Sequence, residues 1–218
     1  MPPLHAPTRH HPSPQSHANL HSSRKQTLGK LPADAFGMLT LPRLPLEVIE
    51  GFRSFGDLTG VISDAMDQLG IAGAVPGSTL RPTDPKARIV GQALTLKNIK
   101  VEATVAERVA GKVSGLRDID HSRAIGYPVW SSSVSPMTGK WRIQTVGVNV
   151  PVVISGVAVQ PGDLVLADEV GVCFIPFARA AEVLALAKTI DDMDNARIKL
   201  LDEGIPLPEF VKASPALK

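Results

Sequence analysis

The chain has one cysteine in 218 residues and so can form no internal disulfide. That residue, Cys173, lies in the apolar run GVCFIP, where a buried, unreactive thiol is expected. A chain that does without disulfides suits a reducing compartment, and a cytoplasmic location is expected. No apolar run approaches the roughly 18 residues that a spanning helix needs, so no membrane partner is expected. Neither G-x-G-x-x-G nor G-x-x-x-x-G-K-[ST] occurs, which counts against a doubly wound nucleotide-binding fold. Acidic residues are missing from residues 1–33, which carry Arg9, Arg24, Lys25 and Lys30. The rest of the chain therefore holds 19 of the 23 bases against all 21 acids, a net −2 concealed by the overall +2. With no basic face for phosphates, the folded part is not expected to bind nucleic acid.

What is present reads as globular. Hydrophobic residues make up 44% and charged residues 20%, enough for one well-buried domain. Residues 1–38 are rich in Pro, Ser and His and show no apolar periodicity, so they are expected to be a disordered tail. The tail holds five of the six histidines, His5, His10, His11, His17 and His21, too irregularly spaced to read as a metal-binding tract. It has no apolar core of a secretory leader, and its prolines count against the amphipathic helix of an organelle leader. A single domain is expected over 39–205, followed by a C-terminal tail over 206–218.

The apolar pattern places the elements. LPLEVIEGFRSF puts Val48, Ile49 and Phe52 at helical spacing behind Pro45. DLTGVISDAMDQLG gives an apolar face of Leu58, Ile62, Ala65, Met66 and Leu69, closed by Gly70. ARIVGQALTLKN reads as a strand and VEATVAERVAGK as a short helix. YPVWSSSV, WRIQTVGVNV, PVVISGVAV, DLVLAD and GVCFIP are five strand-like runs broken by Pro, Gly and Asp. A long helix is expected from Phe177 to about Leu201, with Leu186, Ile190, Met193 and Leu200 facing the core. Strands this close together cannot all be joined by helical crossovers, so they must pair largely antiparallel or close into a small barrel.

The stretch VSGLRDIDHSRAIGYPVW concentrates charge just after a glycine. One reading of its acids is structural: Asp118 or Asp120 caps the short helix DHSRAIG by accepting its free N–H groups. The wider context gives another. VSDAMDQLG, LRP, IVGQALTL, GLRDIDHSRAIGYPVW and VVISGVAVQPGDLVLADEVGVCFIP occur in that order, followed by the terminal helix. On these stretches, over roughly residues 45–203, the chain resembles the RraA-like family. That family comprises regulators of ribonuclease activity A and 4-hydroxy-4-methyl-2-oxoglutarate aldolases with oxaloacetate decarboxylase activity.

The resemblance implies an α/β fold, a swivelling β/β/α domain with a small mixed or antiparallel barrel-like core flanked by helices. It implies homotrimers or hexamers with a site at the subunit boundary. It further implies that Arg117 anchors a small 2-oxo acid substrate and that Asp118 ligates a divalent metal, Mg²⁺ or Mn²⁺, both acting catalytically. Those residue types suit the chemistry. Cleavage beta to a keto group leaves a pyruvate enolate, whose charge a Lewis acid and a two-pronged guanidinium stabilise. Aldolase members tend to carry a further acid three residues after that aspartate; His121 occupies the register here, with Asp120 one step earlier, as candidate ligand or proton carrier. The chain departs from the family pattern before the Arg-Asp pair. Only Lys97 to Leu116 separates it from the preceding strand, too short for the second strand and glycine-rich loop of the aldolases. Two functions stay open: a metal-dependent pyruvate-releasing lyase, or a non-catalytic binding or inactive member.

Overall fold

The structure is a computed structural model that describes residues 27–28, 31–38, 40–100, 115–139 and 142–213. The helix expected from VEATVAERVAGK lies outside the described residues. The first helices follow the apolar pattern: α1 is Leu46–Arg53 and α2 is Leu58–Gln68. Asp57 starts α2 in the usual capping manner, its Oδ1 accepting the Gly60 amide at 3.1 Å. Of the face read from the sequence, Leu58, Ile62, Ala65 and Met66 are buried.

These helices lie on a four-stranded sheet with the order β3-β12-β11-β5, formed by Ala74–Pro76, Gly171–Ile175, Leu164–Ala167 and Ile89–Gln92. Every pairing within it is antiparallel. Side chains alternate across the two central strands. Leu164 and Leu166 of β11, with Cys173 and Ile175 of β12, pack on the helices. Ala167, Val172 and Phe174 face the opposite way, into a second cluster with Val75, Leu80 and Val159. Both faces are covered, which is why these strands read as continuous apolar runs rather than alternating ones. Each fully buried Leu or Ile here contributes about 1.5–3 kcal/mol.

The helix α4, Ala180–Asp202, completes the first cluster through Ala180, Val183, Leu184 and Ala187. A short 3₁₀ turn at Phe177–Arg179 precedes it. The stripe expected on this helix holds only in its first half. Leu186 and Ile190 pack on the core, whereas Met193 is exposed and Leu200 is half-buried outside the core cluster.

The other strands form two-stranded ladders: β1 (Thr27–Leu28) with β2 (Leu31–Pro32), β4 (Arg81–Pro82) with β7 (Trp130–Ser131), β6 (Leu96–Lys100) with β8 (Ile143–Val148), and β9 (Val152–Ile154) with β10 (Val157–Val159). The expected antiparallel αβ architecture is therefore present, with no closed barrel among the described strands. Two runs read as single strands are each two. ARIVGQALTLKN divides at Ala93–Thr95, sending β5 into the main sheet and β6 into a separate ladder; the Asn149 amide donates to Thr95 O at 2.7 Å across that break. PVVISGVAV folds on itself about Ser155–Gly156.

Two boundaries also differ from expectation. Residues 31–38 do not belong with a free tail, since they are bonded to the body. The amide of Gly37 donates to Val148 O at 2.9 Å, that of Met38 to Asn149 O at 3.1 Å, and Ala35 is buried. At the other end, α5 (Leu207–Ala213) occupies part of the expected C-terminal tail, with Pro206 O accepting the amides of Glu209 and Phe210.

Cys173 is buried and free, as expected, with its Sγ 3.8 Å from Thr59 O. Burial, followed by the charges of Asp168 and Asp67, pushes its thiol up from 9.0 to about 12. A raised thiol pKa means that the unfolded chain loses this proton first. The stability linked to this group is therefore intact below pH 9 and is lost as pH rises towards 12. Thiol reagents at pH 8 are expected to leave native protein unlabelled and to react at once in denaturant; rapid native labelling would contradict this burial.

Candidate active site

Arg117 and Asp118 sit between two fixed pieces of backbone. On one side Leu116 bridges Val134 in parallel: the Leu116 amide donates to Ser133 O, and the Ser135 amide to Leu116 O, both at 2.9 Å. This approach requires glycine at 115. A Cβ there would stand 2.7 Å from the Val134 carbonyl carbon and 2.9 Å from the Ser135 nitrogen, both backbone atoms that cannot swing aside. Gly115→Ala is accordingly expected to push Leu116 off this bridge and move Arg117 with it. Ligand affinity at the cleft should fall while the remote main sheet, read by far-ultraviolet circular dichroism, stays intact. Unchanged affinity would mean that the bridge does not position Arg117.

On the other side the chain enters α3, Ile119–Ala124, through Asp118 in the left-handed conformation at φ 61° and ψ 37°. Aspartate tolerates this region better than most residues. Neither acid caps the helix with its side chain. Asp118 supplies only its carbonyl, which accepts the Ser122 amide at 3.2 Å, while its carboxylate Oδ2 takes a hydrogen bond from Arg117 Nε at 3.0 Å. The pair is open to solvent, 48% and 67% exposed, so its mutual attraction adds little stability. The other oxygen, Asp118 Oδ1, has no hydrogen bond among the described residues.

All four residues singled out from the sequence come together. Arg117, Asp118, Asp120 and His121 line one open cleft of about 810 Å³, with Ser135 and Pro136 on its far wall. The cleft contains one further cation that the motif did not flag, Arg123. Its Nε donates to Thr83 O at 2.7 Å, and its NH1 lies 3.7 Å from Asp120 Oδ1. No three His, Cys, Asp or Glu side chains among the described residues converge on one point that could hold a metal. Asp118 nonetheless has the donor chemistry for a hard cation, which is commonly held by one or two carboxylates and keeps several waters.

The PGD motif and the aspartate after it have structural duties. Gln160, Pro161, Gly162 and Asp163 make a tight turn, closed by the Asp163 amide on Gln160 O at 3.2 Å, with Gly162 at φ 94° where glycine is at ease. Buried Asp163 accepts the Gln160 amide at 2.7 Å and the Phe177 amide at 2.9 Å, tying the turn to the start of the terminal helix. Asp168 accepts the Thr59 amide at 3.0 Å and the Thr59 hydroxyl at 2.6 Å, along with the amides of Val170 and Gly171. Its carbonyl takes the Trp130 indole N–H at 2.8 Å. A second, larger cleft of about 1030 Å³ lies over β5, β6 and the β9–β10 hairpin, and is mostly apolar, with Leu94, Leu96 and Val153 exposed on it. Asp64 lies elsewhere, on α2; burial raises its carboxyl pKa, with Asp194, Asp67 and Asp57 adding to the shift.

Residues 101–174, which include the whole Arg117–Arg123 stretch, match the family described as RraA-like, Aldolase/RraA. Over that stretch, about a third of the chain, it is similar to that family. "Putative 4-hydroxy-4-methyl-2-oxoglutarate aldolase" of Halalkalibacterium halodurans is 25% identical over 198 residues, which take in 73% of this chain and 91% of that protein. Protein DlpA of Legionella pneumophila is 26% identical over 166 residues; the chain spans only about a quarter of its length, 27%. Among solved structures, an uncharacterized protein from Pseudomonas syringae is 26% identical with a TM-score of 0.66, covering 78% of this chain and 98% of that one. Streptomyces coelicolor RraAS2, an unusual member of the RNase ES inhibitor RraA protein family, shares the fold at a TM-score of 0.60 and 19% identity, covering 72% and 98%.

The first of these alignments is longer than the part of this chain that it covers. It is 198 residues long, yet 73% of 218 residues is about 159, so about 39 of its positions have no residue here.

Proposed function

We propose that this cleft belongs to a lyase of the 4-hydroxy-4-methyl-2-oxoglutarate aldolase and oxaloacetate decarboxylase type, which releases pyruvate from a small 2-oxo acid. The observation that carries this reading is the meeting of a guanidinium and a carboxylate, Arg117 and Asp118, in one open cleft with Asp120 and His121. The Arg117 terminal nitrogens have no partner among the described residues and suit the planar carboxylate of the substrate. Asp118 would hold Mg²⁺ or Mn²⁺ through its free oxygen, and that ion would supply Lewis-acid polarisation of the keto group. His121 and Asp120, both exposed at the rim, are positioned to exchange a proton with the leaving fragment. A pyruvate-release assay on oxaloacetate, with and without Mg²⁺, tests the reading; no release above the Mg²⁺-only blank would sink it.

A second reading is a non-catalytic RraA-like binding protein. It draws support from the positions of the Halalkalibacterium halodurans relative that have no residue here and from Arg117 lying paired with its own neighbour. The same assay separates the two. In either case the chain is proposed to be cytoplasmic and to assemble as a homotrimer or hexamer. Association of copies would cover apolar side chains such as Leu94, Leu96 and Val153, which a lone chain leaves in water. Light scattering at micromolar concentration is expected to give a mass of three or six chains, and a stable monomer would contradict the assembly.

A further inference from the structure

The cleft holds two guanidiniums, and they are presented in the same way. Arg117 is fixed through its Nε to Asp118 Oδ2 at 3.0 Å, and Arg123 through its Nε to Thr83 O at 2.7 Å. Thr83 is itself buried at 5% exposure, so the Arg123 anchor is a shielded backbone carbonyl rather than a mobile surface group. In each case the anchored nitrogen leaves the outer NH1/NH2 edge, the two-donor fork that matches a carboxylate. Among the described residues, the other polar contact of Arg123 is Asp120 at 3.7 Å, whose carboxylate is fully exposed and too distant for a good hydrogen bond. The helix carries Arg123 about one turn beyond Ile119, so the two guanidiniums stand at different places along the cleft.

We propose that Arg123 reads the far carboxylate of a dicarboxylic 2-oxo acid whose 2-oxo end is held at Arg117. The proposal rests on the lyase reading above and adds a specificity residue to it. Arg117 then recognises what all the substrates share, and Arg123 recognises what distinguishes a dicarboxylate from a simple 2-oxo acid. Because Arg123 is fastened to residue 83 rather than to the Arg117–Asp118 pair, the two ends of the substrate are read independently.

Two stable probes test this by calorimetric titration of the full chain with Mg²⁺ present: pyruvate, with one carboxylate, and 2-oxoglutarate, with two. The wild type is expected to bind 2-oxoglutarate about tenfold or more tightly than pyruvate, the scale of one charge-assisted forked contact. Arg123→Gln should abolish that preference and leave pyruvate affinity unchanged, whereas Arg117→Gln should weaken both ligands. Arg123→Lys, which keeps the charge without the fork, should restore part of the preference. A preference that survives in Arg123→Gln overturns the proposal. So does an equal loss of both ligands in that variant, which would make Arg123 a support of the fold. Wild type that binds pyruvate with no preference for 2-oxoglutarate defeats this inference alone; wild type that binds neither defeats the lyase reading and this inference with it.

Discussion

Asp168→Ala is expected to lower the unfolding free energy by about 3 kcal/mol or more, the largest loss from any single change outside the apolar core. The Asp168 carboxylate takes four hydrogen bonds, two of them from Thr59 at the start of α2, and Thr59 is buried. Alanine would leave the Thr59 amide and hydroxyl without partners where water does not easily reach, and would free the turn at Val170–Gly171. Asp168→Asn keeps one oxygen but turns an N–H towards groups that themselves donate, so it should cost about half as much. The denaturant midpoint should fall with the slope unchanged. A loss of only about 0.5 kcal/mol in Asp168→Ala would mean that the turn and the helix start hold their places without this carboxylate.

The second large effect is functional. Asp118→Asn is expected to remove the response to Mg²⁺ completely while leaving the melting temperature without ligand nearly unchanged. Asparagine is at home in the left-handed conformation that Asp118 adopts, and its carbonyl still accepts the Ser122 amide. Asp118→Gly should also keep the fold, because glycine suits φ 61°. Arg117→Lys should lose most ligand affinity, since lysine retains the charge but not the planar fork. Thermal shift with Mg²⁺ and with oxalate, a planar mimic of the enolate, reads these effects, because a ligand that binds only folded protein raises its melting temperature. If wild type shifts with neither ligand at millimolar concentration, the cleft binds neither metal nor 2-oxo acid, and the non-catalytic reading takes over.

The sequence carried α1, α2 and α4 and the antiparallel character of the strands because these rest on local patterns. Leu58, Ile62, Ala65 and Met66 recur at helical spacing and are buried together. The closely spaced strand runs allow little else than antiparallel pairing. The division of ARIVGQALTLKN was not legible, since an unbroken β-like run does not say that its two halves pair with different partners. The attachment of residues 31–38 was equally hidden, because it runs through backbone bonds to Val148 and Asn149 more than a hundred residues away. At the site, Arg117, Asp118, Asp120 and His121 were found because the motif keeps them adjacent. Arg123 was not, as its part depends on a carbonyl at Thr83 that no local pattern connects to it. The wall at Ser135 depends on a parallel bridge between Leu116 and Val134, again beyond the reach of spacing.

One side chain at the edge of the main sheet has a bearing on how the chain finds its fold. Gln92 accepts the Leu44 amide on Oε1 at 3.0 Å and donates from Nε2 to Pro42 O and to Gly162 O, each at 2.9 Å. Its three bonds join positions 48, 50 and 70 residues away in the chain, so none of them can mature before those segments have arrived. Such a contact helps little to nucleate folding but holds the assembled state closed, and its φ-value should lie near zero. Slow hydrolysis of this amide to a carboxylate would set a negative charge against two carbonyl oxygens. Ageing at this one atom would therefore shorten the lifetime of the native state by speeding its unfolding, while the rate at which fresh chains fold stayed the same.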